Sequence, residues 1–223
     1  VVLAIAGILA SLSYAGFQGL LGRARTTDSA LEATLLAQSA RALASSTGVP
    51  HALLVSAGPK GGWMRVVRDE RRRLGPCLAA NPGWSEAGAF PKPTGAGLPC
   101  AGLAQAEEAV ALDARLQLGP AGGFAAAQAP AESCEGGGPF GAPYCDVPAD
   151  RACTFCSSGA ERTAGAILFE PRGFTRLLDG AGGVVAGAGG SLALERADAP
   201  GNPQGFLVTR LGIVRTVGAL EGN

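Results

Sequence analysis

The sequence is short of most of what a catalytic protein displays. It holds a single histidine in 223 residues, His51. A serine or cysteine triad would have to use it, and no Gly-x-Ser-x-Gly elbow is present to serve it. P-loop, strict Gly-x-Gly-x-x-Gly, His-Glu-x-x-His and EF-hand patterns are missing too, so neither an enzyme nor a cofactor is expected. There is no charge excess of either sign, because Lys plus Arg and Asp plus Glu each number 18. A surface so balanced has no global field to gather nucleic acid or anionic lipid. Aromatics make up 5% of the chain, while glycines number 35 and prolines 15. That composition excludes a compact helical bundle and points to a head rich in turns and long loops. An initiator methionine is missing as well. The chain begins inside an apolar run, as a processed or truncated chain would.

Six cysteines are present: Cys77, Cys100, Cys134, Cys145, Cys153 and Cys156. All fall in Gly/Pro-rich stretches, where a staple restricts loose chain most, and an even count in such loops predicts structural disulfides in an oxidising compartment. The Cys153-Thr-Phe-Cys156 spacing also fits zinc, with Cys134 and Cys145 as further ligands. It fits a redox dithiol less well, for want of a thioredoxin-like βαβ unit. The connectivity stays open; pairing Cys77 with Cys100, with the other four among themselves, closes the first insertion.

Residues 1–22 carry no charge, and as a helix they reach roughly 33 Å, enough for a hydrocarbon core of about 30 Å. Residues 23–47, rich in Ala and Leu, continue the helix, with Leu31, Leu35, Leu36, Ala40 and Leu43 as an apolar stripe that needs a sheet to lie on. Ser45, Ser46, Thr47, Gly48 and Pro50 end it. The head, 48–223, shows candidate strands at 51–56, 63–69, 110–118, 165–170, 174–178, 191–196, 206–210 and 213–217. The Val-Ala-Leu-Asp-Ala-Arg-Leu-Gln-Leu run at 110–118 alternates as one half-buried antiparallel strand should. Residues 58–62 predict a hairpin turn, and 180–190 a flexible one. Two irregular insertions, 74–104 and 119–164, hold every cysteine. The fold class expected is α+β: a long N-terminal helix packed on an antiparallel β-rich head with disulfide-stapled insertions.

The run VVLAIAGILASLSYAGFQGLLGRART resembles the N-terminal helix of type IV pilins and pseudopilins, entered part-way along. It lacks the proline that many of them carry near the position of Ala15 and Gly16. Farther along, ALEATLLAQSARALASSTGVPHALLV, AILFEPRGFTR and GFLVTRLGIVR are similar in order and spacing to the GspH/FimT family of minor pilins and minor type II secretion pseudopilins. The resemblance implies a leader cut by a prepilin peptidase, a methylated N-terminus, and residence in the bacterial inner membrane with the head in the periplasm. It then implies incorporation into a pilus or pseudopilus that serves adhesion, twitching motility or protein secretion. Implied partners are other major and minor pilins or pseudopilins, and a tip adhesin. Small residues along the helix, Ala4, Gly7, Ala10, Gly16 and Gly19, would let helices approach closely.

The basic residues Arg65, Arg68, Arg71, Arg72 and Arg73 are the one cationic concentration, read as a solvated hairpin edge or as a docking surface for an acidic partner. Some FimT-type members bind DNA through a Gly-Arg-x-Arg motif. The matching segment here is Gly212-Ile213-Val214-Arg215, with the first Arg replaced by Ile, and Arg210 and Arg215 flank the turn. DNA binding is therefore expected to be no better than non-specific.

Overall fold

The computed structural model describes residues 2–58, 61–85, 106–112, 115–119, 123–126, 144, 147–148, 151–158, 163–187 and 189–218. Within them the side chains of 2–21, 23, 82, 106–108, 125–126, 199 and 201 lie outside the description.

Among the described residues eleven strands form two antiparallel sheets. The first runs in the order β3 (Ala106–Leu112), β2 (Gly61–Arg68), β1 (His51–Gly58), β6 (Thr163–Phe169), β7 (Thr175–Asp179), β8 (Val184–Val185), with β5 (Ser157–Ser158) also paired to β6. The second runs β11 (Val214–Gly218), β10 (Ala199–Thr209), β9 (Gly189–Arg196), β4 (Leu116–Leu118). Helix α1 spans Val2–Thr47 and α2 spans Leu74–Ala80.

This balance corrects the expected α+β architecture. The described structure is mostly antiparallel sheet, 46% strand. Helix beside it amounts to α1 and the seven residues of α2. The two sheets and the intervening core organise the molecule, and the helix is one covering element rather than its axis. Among the described residues no helix is long and apolar enough to cross a membrane. The membrane expectation falls on residues 1–22, whose side chains, apart from Gly22, lie outside the description.

The packing follows from period-two alternation in strands buried on both faces. Leu53, Val55, Met64, Val66, Ile167 and Phe169 of the first sheet meet Leu192, Leu194, Phe206 and Val208 of the second in one core, together with Ala33, Leu36, Ala37, Ala40 and Ala44 of α1. The alternate residues of the first sheet, Ala52, Leu54, Trp63, Val67, Ala166 and Leu168, pack under Leu74 and Leu78 of α2. On the far face of the second sheet, Ala193, Leu207 and Val217 are covered by Phe124, Tyr144 and Val147. The insertions expected to be irregular loops thus contribute a cover to each outer face.

Two sequence expectations change in detail. The run 110–118 is not one strand: Ala106–Leu112 pairs with β2 in the first sheet, and Leu116–Leu118 pairs with β9 in the second. Alternation survives a change of sheet, so periodicity alone does not reveal the crossing. The segment 180–190 is not a loose turn either, since Val184 and Val185 pair back onto Leu178 and Leu177. The hairpin at 58–62 is present, with Gly58 opposite Gly61.

Candidate functional site

The face that α1 lays on the sheets differs from the expected stripe. Ala30, Ala33, Ala37, Ala40 and Ala44 are buried, with Leu36, Thr26 and Thr34, at spacings of three and four. Leu31 and Leu35 point the other way and are 45% and 61% exposed. The reason is steric: alanines let the helix backbone settle close to the sheets, where a leucine stripe would hold it off. The buried hydroxyls on this face are satisfied locally, Thr26 by the Gly22 carbonyl at 3.2 Å and Thr34 by the Ala30 carbonyl at 2.8 Å. Thr216 of β11 then donates to the Thr34 hydroxyl at 3.2 Å, tying the edge strand to the helix. Gly48, at φ 70°, ends α1 by donating to the Ala44 carbonyl.

At the pole where α1 ends, two hairpin loops lie side by side, one from each sheet. Between β6 and β7, Gly173 donates to the Glu170 carbonyl at 2.9 Å and Glu170 to the Phe174 carbonyl at 2.8 Å. Between β10 and β11 the pattern repeats, Gly212 to Thr209 at 2.9 Å and Thr209 to Ile213 at 3.0 Å. Gly173 and Gly212 both have left-handed φ, 89° and 72°, which this three-residue loop requires. The loops are joined by Thr175, whose N–H donates to the Arg210 carbonyl at 2.9 Å and whose hydroxyl donates to the Thr209 carbonyl at 2.8 Å. A Cβ on Gly212 would come within 2.8 Å of the Gly173 carbonyl oxygen, so the twin loops are packed backbone to backbone. Their tips project Phe174, 50% exposed, and Leu211, 58% exposed.

The turn at 69–73 reaches the same pole. Buried Asp69 accepts from the backbone N–H of Arg73 at 2.8 Å and of Leu74 at 3.2 Å, which caps α2 and fixes the turn. Arg72 sits at φ 51° and pairs with Glu170 at 3.9 Å, and Glu170 also takes Arg176 at 3.5 Å. Arg68 pairs with Glu70 at 3.4 Å. The pole therefore gathers Arg68, Arg71, Arg72 and Arg73 with Arg172, Arg176 and Arg210, of which Arg71, Arg73, Arg172 and Arg210 have no ion pair among the described residues.

Two expected basic residues stand elsewhere. Arg65 lies in the middle of β2, half-buried, and desolvation lowers its pKa. Arg215, on β11, lies over the ring of buried Tyr144 at 5.7 Å. Burial raises the Tyr144 phenol, with Arg215 and Arg41 pulling the other way. His51 is fully buried, with Nδ1 2.9 Å from the Val49 carbonyl.

Of the cysteines, Cys153 and Cys156 are bonded to each other. Cys153 also bridges to Leu192 of β9, so the short ring is seated in the core beside Phe155. Cys77 is disulfide-bonded, and there is no free cysteine among the described residues. Cys100, Cys134 and Cys145 lie outside the described residues, so the Cys77–Cys100 pairing does too. No cluster able to hold a metal occurs among the described residues. Ala4, Gly7, Ala10, Gly16 and Gly19 lie on the backbone of α1 with side-chain surroundings outside the description. The segments AILFEPRGFTR and GFLVTRLGIVR, which hold the twin loops, stood out in sequence only for their family resemblance, and nothing in either announced that they would meet.

No family model, no curated protein and no solved structure matches the chain.

Proposed function

We propose that this chain is a structural subunit of a type IV pilus or of a type II secretion pseudopilus, a minor pilin-like protein that works by packing rather than by chemistry. The observation that carries the reading is the division of the α1 surface. One face is sealed onto the sheets by alanines, and the opposite face exposes Leu31 and Leu35 among Asp28 and Glu32. Two exposed leucines one turn apart make a small apolar site that an assembling subunit can bury against a neighbour. The resemblance of the N-terminal run to type IV pilins and pseudopilins, and of the two hairpin segments to the GspH/FimT minor pilins, supports the same reading. Its partners are then other pilins or pseudopilins and, at a filament tip, an adhesin. Its location is the inner membrane with the head in the periplasm, followed by the assembled filament.

An epitope-tagged full chain, expressed in its own host, tests this. Immunoblots of membranes and of sheared filaments should find the chain in both, and deletion should abolish piliation or secretion. A chain found only as free soluble protein, with both processes intact after deletion, would remove the proposal.

A further inference from the structure

Four of the five large apolar side chains exposed among the described residues sit in two places, and the charges beside them are opposite. On α1, Leu31 and Leu35 share a face with exposed Asp28 and Glu32, at the three- and four-residue spacings that make helix neighbours. Exposed Arg25, three residues before Asp28, is a neighbour of the acidic pair on the same side of the helix. At the helix-end pole, Phe174 and Leu211 project from the twin loops, and each has an exposed arginine near it in its own loop, Arg172 and Arg210. None of these four charged groups has an ion pair among the described residues.

The two patches do not answer each other within one chain. The helix patch faces away from the sheets, diametrically opposite the alanine stripe. The loop tips stand farther along: Gly212 packs beside Arg41, about eight residues past the middle of the Leu31–Leu35 pair, or roughly 12 Å at 1.5 Å per residue. Apolar-with-acid on one surface and apolar-with-base on another, at different heights, is complementarity between copies. A contact of this kind joins unlike surfaces and leaves one of each free, so it propagates instead of closing.

We propose that a second copy of this chain seats its Phe174 and Leu211 loop tips on the Leu31–Leu35 face of α1, with Arg172 and Arg210 against Asp28 and Glu32. This rests on the reading of the chain as a filament subunit and names one contact that subunit makes. Burial of the leucines, the phenylalanine and their neighbours supplies the attraction, and the charges set the orientation and exclude the reverse pairing.

The test uses the full chain in a mild non-ionic detergent, followed by sedimentation over a range of concentrations at low and high salt. The wild type is expected to form species that grow with concentration and shrink with salt. Glu32→Arg and Arg210→Glu should each raise the concentration needed for association at least tenfold. An equimolar mixture of the two variants, or the double variant, should restore it, while circular dichroism of each variant matches the wild type. A wild type that stays monomeric overturns the proposal, as does loss without restoration in the mixture. Loss on Glu32→Arg with none on Arg210→Glu also overturns it, since a two-fold helix-on-helix dimer would behave that way. If the chain enters filaments but does not self-associate, the subunit reading stands and this contact falls. Restoration in the mixture by a chain absent from filaments gives the reverse outcome.

Discussion

At the scale of single residues, the contrast between Ala37 and Leu35 sets what the helix can tolerate. Ala37 is fully buried between the sheets and Leu35 is 61% exposed, two positions apart in sequence and on opposite faces. Ala37→Leu would force extra methylenes into a filled core, and the expected cost is about 1–3 kcal/mol in urea unfolding. Leu35→Ala removes a side chain that touches little in the free chain, so its expected effect is within about 0.5 kcal/mol. The ranking is what matters. Equal losses at the two positions would mean that the helix packs by its leucines after all. Tyr144 supplies a pH dependence of definite sign. Burial raises its phenol above the ordinary value, against the pull of Arg215 and Arg41. The folded chain therefore holds that proton more tightly than the unfolded one. The associated stability is fully present below the unfolded pKa of about 10 and is lost as pH rises through the folded value. Tyr144→Phe should flatten the fall in melting temperature above about pH 10, and an unchanged alkaline limb would show that the phenol does not titrate with unfolding.

At the scale of elements, the turn between β7 and β8 shows how a small cover is held on a sheet. Gly182 has φ 80°, and a Cβ there would run into the Gly75 carbonyl of α2. The indole N–H of Trp84 donates to the Gly180 carbonyl at 2.9 Å, and the ring meets Trp63 edge-on at 5.8 Å between centroids. Gly182→Ala combines a left-handed backbone with a steric conflict and should cost roughly 1–3 kcal/mol. It should also shift Trp84 emission to the red as the 74–85 segment lifts from the turn. Unchanged stability and fluorescence would mean that α2 is not seated there. Much of this element layer was legible in the sequence: every candidate strand except 110–118 falls on an observed one, because β-branched and apolar alternation bounded by Gly and Pro is a local signal. The face of α1 was not. Alanine weighs little in any apolar count, so Leu31 and Leu35 dominated the expected stripe, while the close approach that favours Ala33, Ala37 and Ala40 is a property of the partner sheets. The crossing of 106–118 between sheets escaped for a similar reason, since which strand pairs with which depends on residues up to about eighty positions away, as Gln117 opposite Glu195 shows.

At the scale of the whole molecule, the basic pole decides whether a polyanion is a plausible ligand. The fold brings Arg68, Arg71, Arg72 and Arg73 beside Arg172, Arg176 and Arg210, a convergence that sequence order did not reveal. Glu70 and Glu170 answer three of the seven, leaving Arg71, Arg73, Arg172 and Arg210 without ion pairs among the described residues. Each phosphate neutralised contributes about −0.9 to the slope of log K against log salt, so four arginines set a ceiling of about −4 for duplex DNA. A net charge of zero adds no long-range attraction to that local patch. Binding is therefore expected in the non-specific range, roughly 10⁻⁴ to 10⁻⁶ M at physiological salt. Arg215 is placed apart, over the Tyr144 ring, so Arg215→Ala should leave the affinity unchanged, whereas Arg172→Ala with Arg210→Ala should weaken it and flatten the slope by about 2. A fluorescence titration of the full chain with labelled duplex at two salt concentrations measures both quantities. Sub-micromolar binding that disappeared with Arg215→Ala would relocate the contact to β11 and make nucleic acid, rather than another subunit, the ligand that this surface serves.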